Sequence, residues 1–159
     1  MTQLPNRRLF IILAEQKIAQ AKRSNNQIAI AFLDIDGFKH INDFYGHDIG
    51  DVLLSEAANR FMTVLRETDI IARFGGDEFV ILLDTLKSSN EAEETLNRVI
   101  EAIARPYIIS DHSLQIGASI GYTLFPEDES NITILIQHAD NAMYDAKQAG
   151  KGILKRFQL

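Results

Sequence analysis

Ile28-Ala29-Ile30-Ala31-Phe32-Leu33-Asp34-Ile35-Asp36-Gly37 is the stretch whose reading decides the fold. Nearly every position from 28 to 35 is apolar. A run that is short and apolar on both alternations predicts a central strand covered on both faces. It ends in two carboxylates and a glycine, so a buried strand delivers acidic groups to the edge of a sheet. A short helix over 38–44 follows, then a longer one over 47–66. Ile49, Val52, Leu53, Ala57, Phe61 and Leu65 form one stripe of the longer helix. Residues 69–74 and 79–83 are apolar runs around Gly75-Gly76-Asp77-Glu78. This predicts a hairpin, with the glycines supplying positive φ for the turn.

Outward from there, a helix over 90–104 ends before Pro106. Strands over 107–109 and 114–125 flank the turn Ser110-Asp111-His112. A helix over 132–149 stops at Gly150, and 153–157 reads as a terminal strand. At the front, Pro5 suits the first position of a helix. Its stripe runs through Leu9, Ile12, Leu13, Gln16 and Ala19 or Gln20, and Asn25-Asn26 ends it. The core order of strand, helix, strand, strand, helix, strand predicts an α+β fold. Its centre is a ferredoxin-like, mainly antiparallel sheet flanked by helices. A right-handed crossover makes the second strand parallel to the first. The third returns between them and brings Asp77 beside Asp34 and Asp36.

The 159 residues suit one domain spanning 1–159, with no linker or repeat inside it. Cysteine is absent, which excludes disulfides, thiolate metal sites and a cysteine nucleophile. Sixteen Lys and Arg against 22 Asp and Glu give a net charge of −6. That balance argues against a nucleic-acid polymer as partner, which needs a basic footprint. No apolar run reaches membrane-spanning length and no signal-peptide pattern opens the chain, so the expected setting is the cytoplasm.

Asp34 and Asp36 are two apart on a strand and share a face. With Asp77 and Glu78 they bring four carboxylates to one edge, which repel one another unless neutralised. Hard divalent ions with oxygen ligands meet that need and also bind phosphates. The bland alternative makes Asp36 a cap for the helix after Gly37 and leaves Glu78 solvated. The amides at the start of helix 38–44 and the charge of Lys39 favour an anion. Lys147 and Lys151 lie at a helix C-terminus, where complementing the dipole is a sufficient reason for them. An Asn and an Asp such as Asn42 and Asp51 can satisfy a guanine edge, though each alone is more often a cap or turn residue.

The segment Gly75-Gly76-Asp77-Glu78-Phe79 resembles the signature of the GGDEF family, the diguanylate cyclases. The resemblance extends through Leu4-Pro5-Asn6-Arg7-Arg8. It continues through the stretch from Asp34-Ile35-Asp36-Gly37-Phe38-Lys39 to Gly50-Asp51, and through Ala139-Asp140-Asn141-Ala142-Met143-Tyr144. It covers essentially the whole chain. The resemblance implies a palm-type, nucleotide cyclase-like fold that condenses two GTP into cyclic di-GMP and two pyrophosphates. It places Mg²⁺, with Mn²⁺ as the substitute, on Asp34, Asp77 and the Ile35 carbonyl. Gly75, Gly76, Asp77 and Glu78 form the catalytic turn, where Asp77 or Glu78 assists deprotonation of the 3′-hydroxyl. Guanine falls to Asn42 and Asp51. Phosphates fall to Lys39, Lys147, Lys151 and the amides of Gly37 and Phe38.

Arg66-Glu67-Thr68-Asp69, separated from Gly75 by five residues, matches the family's Arg-x-x-Asp product-inhibition motif. Without that match, a surface ion pair is the simpler reading. The resemblance also implies a transient homodimer and an upstream sensor domain. The stretch from Ala104-Arg105-Pro106-Tyr107 to Gly121 resembles copies fused to an EAL phosphodiesterase domain, so such a domain is expected downstream. A membrane anchor in the parent protein is compatible with this. There are departures. Gln3 stands where the family has glycine, and Lys151-Gly152 where it more often has Arg-Asn. Lysine keeps the charge but loses the guanidinium fork. A noncatalytic module that binds GTP or cyclic di-GMP is the competing function.

Overall fold

The computed structural model describes residues 4–158. Gln3, where the resemblance expects glycine, lies outside them. Asn6 caps the first helix, α1 (Arg7–Ser24), by accepting from the Leu9 amide, so Pro5 precedes the helix instead of opening it. The buried face of α1 is Phe10, Ala14, Ile18 and Ala21, while Leu9 and Ile12 are exposed. The expected stripe is therefore rotated by one residue. The cause is compositional: apolar residues occupy every position from 9 to 14, so periodicity there does not choose a face.

Strand β1 (Gln27–Asp36) is the central strand expected, buried at every position from 28 to 35. Helices α2 (Phe38–Tyr45) and α3 (His47–Val64) follow it. On α3 the buried face includes Leu54 and Ala58 beside Leu53, Ala57 and Phe61, and Val52 is exposed. Strands β2 (Ile70–Arg73) and β3 (Glu78–Leu86) form the hairpin. Its turn does not use positive φ, which is confined among the glycines to 37, 46, 150 and 152. A Cβ on Gly75 would stand 2.7 Å from Glu78 Oε1, the mobile end of a side chain that can swing aside.

Next come α4 (Ser89–Ala104), β4 (Tyr107–Ile109), β5 (His112–Leu114), β6 (Gly117–Phe125), α5 (Ile132–Gln148) and β7 (Leu154–Arg156). The single strand expected over 114–125 is divided. β5 closes a small hairpin with β4, and β6 enters the main sheet. Between them Gln115 is exposed and donates to the Ala104 carbonyl, and the chain changes pairing partner from β4 to β1.

The main sheet has the order β2-β3-β1-β6-β7. β3 is antiparallel to both β1 and β2, so β1 and β2 are parallel and β3 lies between them. This is the expected topology. Ala29, Ala31, Leu33 and Ile35 pack with α2, α3 and α4 through Ile41, Leu53, Phe61 and Leu96. Ile28, Ile30 and Phe32 face α1 and α5 through Phe10, Ala14, Leu135 and Ala139. The alternation of β1 thus decides which layer each acidic residue at its end will meet. Asp34 and Asp36 continue the α1/α5 face.

Candidate functional site

Asp34 is directly opposite Glu78 in the β1–β3 ladder, and the Ile35 amide donates to the Asp77 carbonyl at 3.0 Å. The turn is thereby fastened to the end of the central strand. Lys147, in the last turn of α5, donates to Asp34 Oδ2 at 2.5 Å. The other oxygen, Asp34 Oδ1, is buried with no hydrogen-bond partner among the described residues. Burial pushes the Asp34 carboxyl above its usual range and the Asp77 charge adds to this, while Lys147 pulls the other way without cancelling it. Glu78 is raised for the same reasons, burial first and then Asp34 and Asp140. Burial depresses Lys147, but Asp34, Asp36 and Asp77 outweigh it and hold the ammonium above its usual value.

Four converging carboxylates are not what the fold delivers. Asp36 turns aside to Ser119 and Gly152, and it does not cap α2, whose start has no side-chain cap. Among the described residues no three acidic or imidazole side chains stand close enough to enclose an ion. The donor chemistry nonetheless fits a hard divalent cation. A buried carboxylate oxygen of Asp34 lacks a partner among the described residues, the carboxylates of Asp77 and Glu78 follow on the turn, and the burial and neighbouring negative charge that raise Asp34 and Glu78 favour added positive charge.

On the other side of Asp36 the chain enters α2 through Gly37 at φ +89°, a value glycine tolerates at little cost. Lys39 is exposed near the start of that helix, and Phe38 is buried beneath it. Asn42 lies against Gly50. A Cβ on Gly50 would stand 1.7 Å from Asn42 Oδ1, so the absence of one lets the Asn42 side chain lie against α3 in this rotamer. Asn42 Oδ1 is itself buried without a partner. Asp51, the next residue of α3, is exposed.

Arg66 and Asp69 sit at the far end of β2 from the turn. Asp69 accepts from the Arg66 amide with Oδ2 and from the Asp84 amide with Oδ1, both at 2.9 Å. The Arg66 guanidinium donates to the Asp84 carbonyl and pairs with Glu91 at 3.5 Å. Leu4, Pro5, Met62 and Leu65 line a groove of about 320 Å³ beside them.

Sequence reading missed three contributors. Arg73, at the end of β2, donates to the Gly75 carbonyl at 3.0 Å and to the Gly76 carbonyl at 2.8 Å, holding the turn from the outer strand. Arg7 lies 4.4 Å over the Phe74 ring, where its charge lowers Glu78 and Asp140 against the burial that raises both. Ser119 is fully buried and donates to Asp36. A cation next to a glycine turn was the available signal for Arg73; nothing in the sequence marks Ser119.

The family described as "Diguanylate cyclase, GGDEF domain" matches residues 1–152. A bifunctional diguanylate cyclase/cyclic di-GMP phosphodiesterase of Pseudomonas aeruginosa, MucR, is 44% identical over 151 residues, which is 95% of this chain and 22% of that protein. The diguanylate cyclase TpbB of the same species is 39% identical over 160 residues, covering 100% of this chain and 37% of that protein. The chain thus spans well under half the length of these curated relatives. The crystal structure of the TpbB GGDEF domain superimposes with a TM-score of 0.97 at 37% identity, covering 100% of this chain and 99% of that one.

Proposed function

The chain belongs to the diguanylate cyclase GGDEF domain family, and from that premise we propose that it condenses two GTP into cyclic di-GMP with release of two pyrophosphates. The observation that carries the reading is the meeting of Asp34 with Glu78 across the β1–β3 ladder, beside an Asp77 whose backbone is bonded to Ile35. Asn42 and Asp51 hold the guanine edge. Lys39, Lys151 and the amides of Gly37 and Phe38 receive the phosphates, with Lys147 shifting from Asp34 to join them. Asp34, Asp77 and the Ile35 carbonyl would hold Mg²⁺ or Mn²⁺. Such an ion supplies charge neutralisation at the phosphates and a lowered pKa for the attacking hydroxyl. Asp77 or Glu78 takes the 3′-hydroxyl proton. The raised pKa of Glu78 suits it to accept and later release one.

Arg66 and Asp69 form a separate site for the product, and they make the domain subject to feedback. In the parent protein, an upstream sensor and a downstream EAL domain are the neighbours we propose. Incubation with GTP and Mg²⁺ followed by mass analysis of the product tests the activity. Asp77→Asn should remain folded and lose synthesis beyond the roughly 100-fold that second-layer partners cost. Near-normal synthesis by that variant would remove the metal assignment. Arg66→Ala should lose product binding by calorimetry and relieve feedback while GTP binding persists.

One observation favours a noncatalytic nucleotide-binding module instead. Lys147 is already committed to Asp34, the oxygen-rich residue that the ion needs. Tight GTP binding without any cyclic product would establish that reading.

A further inference from the structure

Asp36 stands at the edge of the site with no part in the reaction described so far. Its Oδ2 accepts from Ser119 Oγ at 2.8 Å and from the Gly152 amide at 3.1 Å. The Gly152 amide is shared with Ser119 Oγ at 3.2 Å, which closes a three-membered knot. Ser119 is fully buried in β6, so the hydroxyl is fixed in place. Gly152 follows Lys151, whose φ of +64° lies in a region that lysine rarely adopts. Gly150 and Gly152 on either side also have positive φ. A backbone of this kind persists only where its surroundings hold it, and the amide caught by Asp36 is the hold on its far side. On the near side the Lys151 amide donates to the Ala146 carbonyl at 3.1 Å.

We propose that Asp36 is a positioning residue for Lys151. Its carboxylate, backed by Ser119, anchors the Gly152 amide and fixes the turn that presents the Lys151 ammonium to the substrate phosphates. Asp36 is not a metal ligand on this view. The inference rests on the reading of Lys151 as a phosphate contact. It also accounts for an acidic residue placed two positions after Asp34, on the same face, yet turned from it toward another strand.

The test compares Asp36→Asn, Asp36→Ala and Ser119→Ala in the full chain. An amide oxygen can take the place of Oδ2 and accept both bonds, so Asp36→Asn should keep the turn. Asp36→Ala should raise the GTP KM, and the Kd of a nonhydrolysable GTP analogue, by about tenfold. Its Mg²⁺ midpoint should be unchanged. Hydrogen exchange at the Gly152 amide should quicken in Asp36→Ala and, to a lesser degree, in Ser119→Ala. Should Asp36→Ala not fold, the other two variants carry the comparison.

A raised Mg²⁺ midpoint in Asp36→Asn, comparable with that of Asp34→Asn, would overturn the proposal in favour of metal ligation. Unchanged exchange at Gly152 in the alanine variants would overturn it as well. If the unaltered chain binds no GTP analogue, the functional reading fails instead, and the exchange measurement still decides whether Asp36 anchors the turn.

Discussion

At the scale of the residue, Asp34 shows how one side chain is made costly in order to be useful. It is buried beside Asp77, paired by Lys147 at one oxygen and left bare at the other. Burial, then the neighbouring carboxylate, raises its pKa, and Glu78 is raised by burial and by Asp34. A carboxyl with a folded pKa above its unfolded value keeps its proton longer in the folded state. Stability therefore falls as pH climbs from the ordinary carboxylate range through the raised value, and returns on acidification. With divalent ions chelated, Asp34→Asn should melt a few degrees above the unaltered protein near neutral pH. The gap should close as pH falls toward about 4. Added Mg²⁺ should narrow or reverse the gap, because on the proposed metal assignment the unaltered site binds it better than the variant. Thermal denaturation across that range checks this. A variant that melts lower at neutral pH under chelation would show that the Lys147 pair outweighs the burial and repulsion.

At the scale of the element, the contact between α5 and β6 decides whether Lys147 reaches Asp34 at all. A Cβ on Gly121 would stand 2.0 Å from the Met143 amide nitrogen and 2.4 Å from the Ala139 carbonyl oxygen. These are backbone atoms, which cannot swing aside as a flexible side chain would. Gly121→Ala should therefore lift the helix and destabilise the fold by about 2 kcal/mol or more, read by denaturant titration. Because α5 carries Lys147, synthesis should fall further than the lost stability accounts for. That glycine was visible in the sequence but its reason was not, since close approach of two elements distant along the chain has no local signature. The elements that read well were those with a single dominant pattern. The two-sided run of β1 and the glycine turn between β2 and β3 placed Asp34, Asp77 and Glu78 correctly. Reading failed where composition was uniform, as in the all-apolar start of α1. It failed again between β5 and β6, where the chain passes from one sheet to another with no local break in the apolar run. Asp36 and Lys147 were expected to share the chemistry of their neighbours. The rotamers that commit one to Gly152 and the other to Asp34 depend on β6 and α5 meeting β1, which only the tertiary structure shows.

At the scale of the whole molecule, the proposed function gives the chain one guanine-reading pair, Asn42 and Asp51, and one carboxylate turn. Cyclic di-GMP synthesis from two GTP needs two of each. In the proposed reaction each nucleotide attacks the α-phosphate of the other, so two copies facing across a two-fold axis meet the requirement with no further parts. Bringing the two nucleotides into attack geometry is then a large share of the catalysis. The chain carries a net charge of −6, and on the face where the proposed copies meet, Asp34 and Asp140 act on Glu78 with only part of their charge offset by Arg7 and Lys147. Repulsion between these faces disfavours assembly until nucleotide and cation are bound. None of the helices among the described residues is long enough to act as an extended coiled-coil seam, the longest being the 18 residues of α1 and α3. The domain should accordingly be mostly monomeric in isolation, with activity per molecule rising as protein concentration rises. A leucine zipper joined ahead of Met1 should raise activity at low concentration, because it converts encounter into an intramolecular step with an effective concentration in the millimolar range when the linker is short and flexible. Added salt should weaken the repulsion and shift the concentration dependence to lower values. Specific activity that stays constant across the whole concentration series, in protein shown by sedimentation to remain monomeric with GTP and Mg²⁺, would refute the facing-copies mechanism.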